Sequence, residues 1–185
     1  MQKNKLVFIT GNTGKAKYLA DYFHMSIEHK KLDLPEIQSL SLREVVEDKA
    51  RRAFAEIGEP VLVEDVSVIF NALEGLPGPL IKWFDQTLGN EGMCRLLDGY
   101  NDRGAITEVQ FAYCDGEHVQ VFSGEVKGTI AKEPRGSGGF GWDRIFIPDG
   151  HQKTRGEMDG DEWHDSGMRK IALEKLGEFL QGSTI

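Results

Sequence analysis

The segment from Val61 to Pro79 constrains this chain more than any other. Pro60 opens an apolar run, Val61-Leu62-Val63, which delivers two adjacent carboxylates, Glu64 and Asp65. A Gly/Pro-rich loop, Glu74-Gly75-Leu76-Pro77-Gly78-Pro79, then follows and ends in Ile81-Lys82-Trp83-Phe84. The run has the character of a buried strand, and the acids stand where that strand is expected to empty into a loop. Adjacent carboxylates at the rim of a core are costly unless something cationic meets them. A hard metal ion and the polyphosphate it escorts are the obvious candidates.

The rest of the chain alternates strand and helix patterns. Leu6 to Ile9 reads as a buried strand, followed by the loop Thr10 to Lys15 and a helix with Leu19, Tyr22 and Phe23 on one face. Ser41-Leu42-Arg43-Glu44 has capping-box spacing, and Val46, Ala50, Ala53, Phe54 and Ile57 recur at helical intervals up to a stop at Gly58. A short helix is expected from Glu91 to Leu97. Residues 106–114 and 118–126 alternate and are joined by Asp115-Gly116, a hairpin signature. Arg144 to Ile147 reads as a further strand, and Met168 to Leu180 as a terminal helix with Ala172, Leu176, Phe179 and Leu180 inward. β-loop-α units beside a hairpin predict an α/β fold with a mixed sheet. The 185 residues suit one domain, or two lobes sharing a core.

The formal charge of −8 argues against a nucleic-acid polymer as partner, since backbone phosphates need a basic face. A small anionic substrate needs only a few local cations. Cys94 and Cys114 match neither a CxxC metal site nor a disulfide framework, so free thiols in a reducing cytosol are expected. Met1 to Lys5 lead into an apolar stretch too short for a signal peptide, and no run approaches the ~18 residues of a membrane span. A cytoplasmic protein without membrane contact is the expectation.

Chemistry concentrates in the loops. Thr10-Gly11-Asn12-Thr13-Gly14-Lys15 follows a strand and opens a helix, the arrangement in which backbone N–H groups and a helix N-terminus collect phosphate. It is neither a Walker loop nor a dinucleotide fingerprint. Lys49 and Lys82 are further candidate cations. Gly136-Ser137-Gly138-Gly139-Phe140-Gly141-Trp142-Asp143 would let the backbone approach a flat ligand, with Phe140 or Trp142 stacking on a base and Asp143 taking a ring N–H or staying ionised near a metal. The five histidines lack zinc spacing, and no nucleophile elbow is present. Metal-assisted attack by water suits these residues best.

Taken in order, Thr10-Gly11-Asn12 with Lys15, Val63 to Phe84 and Phe140-Gly141-Trp142-Asp143 resemble the inosine triphosphate pyrophosphatase (Ham1-like) family over nearly the whole chain. The block from Phe70 to Phe84 is most similar to eukaryotic-type members. The resemblance implies an elongated two-lobed α/β homodimer, with a mixed sheet flanked by helices and a substrate cleft between lobes. It implies magnesium-dependent hydrolysis of deaminated purine nucleoside triphosphates (ITP, dITP, XTP) to monophosphate and pyrophosphate. By the same resemblance Thr10, Asn12, Lys15 and Lys49 would hold phosphates, and Glu36 and Asp65 the magnesium. Asp65 or Glu64 would orient the attacking water. Lys82 would belong to the substrate pocket, Phe140 would stack on the base, and Trp142 with Asp143 would line its edge.

The match breaks near the end. The family opens its last helix with Ser-His-Arg, which reads the purine 6-oxo group, and a lysine precedes it. Here Trp163 stands where that lysine is expected and Gly167-Met168-Arg169, or Ser166-Gly167-Met168, replaces the triplet. Arg169 survives in the first alignment, His164 is a candidate substitute, Trp163 could add a stacking wall, and Gly156 replaces a common alanine. Missing donors relax or redirect base choice. Broadened base selectivity, or a nucleotide-binding homologue without turnover, are the competing expectations.

Overall fold

Short apolar runs laid side by side set the sheet. In the computed structural model, which describes residues 6–182, β1 (Val7–Ile9) pairs in parallel with β2 (Glu28–Lys30) and β3 (Val61–Phe70). β4 (Pro77–Gly78) lies antiparallel on β3. β5 (Gly104–Cys114) and β6 (Val119–Ile130) form the expected hairpin, and β7 (Phe146–Pro148) pairs antiparallel with β6. The order is β2-β1-β3-β5-β6-β7 with β4 attached to β3, a mixed sheet in an α/β chain. Met1 to Lys5, where the absence of a signal peptide was expected, lie outside the described residues. Among those residues no helix is long and apolar enough to cross a membrane.

Helices follow where the sequence caps them. α1 (Thr13–Phe23) starts at Asn12, whose side-chain oxygen accepts the Lys15 N–H. The helix thus begins two residues before Lys15, with that lysine in its first turn. α2 (Leu42–Ile57) is capped by Ser41 and ends at Gly58, whose φ of 71° suits glycine. The reciprocal half of the capping box is relayed: Glu44 takes the Ser39 hydroxyl (2.6 Å), and Ser39 Oγ accepts the Ser41 N–H (3.0 Å). α3 (Ile81–Arg95), α4 (Gly160–Asp165) and α5 (Met168–Gly182) complete the set.

By contact density the chain divides into two compact units. One gathers the residues up to Asp65, Gln110–Ser123 and those from Ala172 onward. Its core packs Val46, Ala50 and Ala53 of α2 against Val7, Ile9, Val61, Val63, Ala112 and Cys114 of the sheet. Strand alternation sends Phe8 and Phe111 to the other face, 6.5 Å apart. There Phe179 of α5 meets Tyr113 and Phe122 at 5.2 and 5.1 Å. In the hairpin turn of this unit the Asp115 carboxylate accepts the N–H groups of Glu117 and His118. Gly116 (φ 97°) sits against the outer end of the Phe54 ring of α2, which leaves no room for a Cβ there. The second unit comprises Val66–Val109 and Gly124–Ile171.

Four expectations are corrected. Glu64 and Asp65 are not at a strand end: β3 runs on to Phe70, because Val66, Val68 and Phe70 continue its apolar alternation beyond the acids. Ile81 to Phe84 do not close a loop but open α3: just after Pro79 the Leu80 carbonyl accepts the N–H groups of Trp83 (2.9 Å) and Phe84 (3.4 Å) and starts the helix. The expected helix from Glu91 is only the later part of α3, after Gly89 (φ 62°) breaks it. Arg144 lies not in a strand but in a 3₁₀ turn, Gly141–Arg144, and β7 begins at Phe146.

Candidate functional site

Alternation along β3 decides where its two acids go. Asp65 has the parity of Val61 and Val63, which face α2, and on α2 it meets Lys49, the residue before buried Ala50. Lys49 Nζ lies 3.0 Å from Asp65 Oδ2 and 3.3 Å from Glu36 Oε1, and donates to the Glu64 carbonyl at 3.4 Å. Burial would lower the pKa of Lys49, but the Asp65 and Glu36 carboxylates outweigh it and hold the ammonium above the ordinary lysine range. Glu64 has the opposite parity, and its buried carboxylate meets Lys15 Nζ at 3.0 Å.

A cavity of about 180 Å³ opens here, lined by Thr10, Gly11, Lys15, Glu36, Lys49 and Glu64 together with Ile9, Leu32 and Leu34. Thr10 Oγ1 accepts the Asn12 N–H (3.1 Å), and Asn12 commits its side-chain oxygen to the helix cap, leaving its NH₂ to donate elsewhere. The stem of Lys31 lies against Gly11, 3.3 Å from where a Cβ would stand. Sequence reasoning did not single it out, and its signal was only its place just after β2. Thr10, Asn12, Lys15, Glu36, Lys49, Glu64 and Asp65 therefore all belong to one neighbourhood of the first unit.

Two ammonium groups against three carboxylates leave this group net negative. The donors are hard oxygens, and a cation, the Lys49 ammonium, already spans Glu36 and Asp65. That chemistry fits magnesium, which takes one or two carboxylates and fills its remaining positions with water and phosphate oxygens. Among the described residues no group of three His, Cys, Asp or Glu side chains is arranged to hold a metal alone.

The second unit carries the aromatic candidates. Phe140 is 43% exposed, and the Arg169 guanidinium lies 5.0 Å above its ring. Trp142 is buried and meets Phe140 edge-on at 6.0 Å. Asp143 is buried too, and its partners are protein groups: Phe140 N–H (3.1 Å), Arg155 Nε (2.9 Å) and Trp163 Nε1 (3.0 Å). Phe140 is thus presented at the surface of the loop with buried Arg169 against its ring, whereas Trp142 and Asp143 brace it from behind. Lys82 on α3 is exposed, 5.4 Å from the ring of Trp83.

Arg155 is the residue that sequence reading missed. Thr154-Arg155-Gly156-Glu157 has capping-box spacing, and Glu157 accepts the Thr154 N–H at 2.8 Å. Gly156 admits the close passage of this turn, since a Cβ there would come within 2.8 Å of the Arg135 carbonyl and the Arg144 backbone. The turn points Arg155 inward, to 7% exposure. The available signal was that box, beside a glycine where the family favours alanine.

A mixed α/β sheet with a lysine–carboxylate cavity defines the class, and sequence comparison gives the family. Residues 6–179 match the Ham1 family, and the chain belongs to it. It is 43% identical over 177 residues to inosine triphosphate pyrophosphatase 2 of Trypanosoma cruzi (strain CL Brener), covering 94% of this chain and 90% of the relative. It is 40% identical over 183 residues to the dITP/XTP pyrophosphatase of Methanopyrus kandleri, covering 97% of each. A solved HAM1 protein from Coxiella burnetii superposes with a TM-score of 0.84 at 26% identity, covering 96% of this chain and 98% of that one.

Proposed function

We propose that this Ham1-family enzyme hydrolyses deaminated purine nucleoside triphosphates (ITP, dITP and XTP) to monophosphate and pyrophosphate, with magnesium as cofactor. One observation carries the reading: Lys15, Lys49, Glu36, Glu64 and Asp65 form a net-negative group at one cavity. A polyphosphate has reason to enter such a group in company with a divalent cation. The names of the relatives from Trypanosoma cruzi and Methanopyrus kandleri support the choice of base.

Glu36 and Asp65 would hold the magnesium, which when bound supplies charge neutralisation on the phosphate oxygens. Lys15 and Lys49 release their carboxylates and follow the incoming phosphates, each a flexible point charge suited to that exchange. Asn12 donates its NH₂ and Thr10 its hydroxyl to phosphate oxygens. Glu64, which lines the cavity, orients the water and takes its proton as the water oxygen bonds to the α-phosphorus. The α-phosphorus–oxygen bond breaks, pyrophosphate leaves, and the ammonium groups offset the charge that develops on it. Phe140 stacks on the base. The reading includes a cytoplasmic homodimer, supported by free, buried Cys94 and Cys114 and by exposed Leu76, Trp83 and Leu88.

The test is product analysis with ITP, dITP and XTP, with and without magnesium. One pyrophosphate per monophosphate, only with magnesium, is the expected result. Orthophosphate as the product, or nucleotide binding without turnover, would overturn the reading in favour of a different hydrolase or a plain binder.

A further inference from the structure

The replaced Ser-His-Arg triplet leaves a physical gap, and a different residue fills it. Gly167 has no side chain, and a Cβ at its position would lie 3.1 and 3.2 Å from Nη1 and Nη2 of Arg155. The guanidinium thus occupies the space that a larger residue at Gly167 would need. Every hydrogen bond it makes fixes its plane. Nε donates to Asp143 Oδ1, and Nη1 to both the Trp163 carbonyl and Ser166 Oγ, each at 2.9 Å. The plane also stacks on the Trp163 ring, 4.7 Å from its centre.

Nη2 is left over. Its two N–H groups make no hydrogen bond among the described residues, although the other two nitrogens are fully engaged. Nor is it among the buried unsatisfied atoms, so solvent reaches it. A charged planar donor, held rigid on three sides and open at one nitrogen, suits an oxygen acceptor presented by a flat ligand. Asp143 links it to the Phe140 backbone, so the open donor is one residue removed from the exposed ring.

We infer that Arg155 is the base-reading residue of this chain, donating from Nη2 to a ring carbonyl oxygen of an oxopurine. The inference rests on the proposed function for the identity of the ligand. It goes further by naming a donor outside the terminal triplet, and it retains 6-oxo selectivity that loss of the triplet would otherwise relax. An adenine amino group in the same place would set donor against donor, which is how a polar site rejects a near-isostere.

The experiment compares wild type with Arg155→Lys, which keeps a charge for Asp143 and removes the fork. Intrinsic tryptophan fluorescence reads the affinity for inosine monophosphate and adenosine monophosphate, and pyrophosphate release reads ITP and ATP. Wild type is expected to favour the oxopurine. The variant should lose roughly tenfold of that ratio through the oxopurine alone, as befits a charged hydrogen bond. Gly167→Ala, whose methyl group displaces the guanidinium without touching its charge, should reduce the ratio in the same direction. It decides the matter if Arg155→Lys does not fold. A wild type indifferent to the base, or a folded variant with an unaltered ratio, overturns the inference. Absence of turnover with retained oxopurine preference in binding would instead overturn the proposed function and leave the base-reading role intact.

Discussion

The Lys15–Glu64 and Lys49–Asp65–Glu36 contacts and the Arg155–Asp143 contact are all ion pairs, yet they are built for opposite ends. The first group uses lysines on flexible stems, beside a cavity, with one carboxylate more than its cations can match. The second uses one arginine against one aspartate, both buried, with donors from Phe140 and Trp163 completing the carboxylate. Imbalance makes the first group able to exchange partners. Balance and planar geometry make the second group stay as it is. Charge pairing by itself therefore says little about role; stoichiometry and side-chain stiffness say more.

Substitutions on the two sides should separate activity from stability. The largest effect is expected from Asp65→Asn, which should lower kcat by about 10²–10³-fold with little change in KM. The same variant leaves Lys49 with Glu36 as its remaining carboxylate partner in this pair, so its melting temperature should fall by only a few degrees. A near-native kcat would remove Asp65 from the reaction. Arg155→Met should act far more on stability. It strands buried Asp143, at about 3–5 kcal/mol, a drop in Tm on the order of 10 °C for a chain of this size. An unchanged Tm in calorimetry would mean that Asp143 is not held as described.

The smallest effect is in pH. Lys49 is held above the ordinary lysine value of 10.5, so its contribution to stability is complete below that pH and is lost as pH rises through the raised value. The difference in Tm between wild type and Lys49→Met should thus be constant from about pH 7 to 10 and narrow only above it. A difference that narrows near neutrality would show that the carboxylates do not outweigh burial.

Much of this was legible in the residues. α2 announced itself through Ser41, its apolar interval and Gly58, because each signal is local. β2 gave no signal: Glu28-His29-Lys30 is a polar edge strand, held by pairing with β1 rather than by burial of its own side chains. The early part of α3 was obscured by Gly75, Pro77, Gly78 and Pro79, whose turn chemistry masked the helix that follows. The first site emerged as one neighbourhood because Thr10, Asn12 and Lys15 stand between a strand end and a helix start, and because adjacent acids within an apolar run call for cations. Arg155 did not, since a lone arginine in a polar segment looks solvated, and only tertiary contact with Asp143, Trp163 and Gly167 reveals its burial.

Gly116 on Phe54 bears on how this protein can be handled as a reagent. The hairpin tip from Asp115 to His118 has the composition of a disposable loop, the natural place to graft a tag or a fluorophore. Its backbone instead rests on an aromatic ring that packs against the core of α2, with no room for a Cβ. An insertion there would loosen that core along with the turn. Gly150, also with positive φ (83°) but with nothing within 4 Å of its missing Cβ, offers the safer point of attachment.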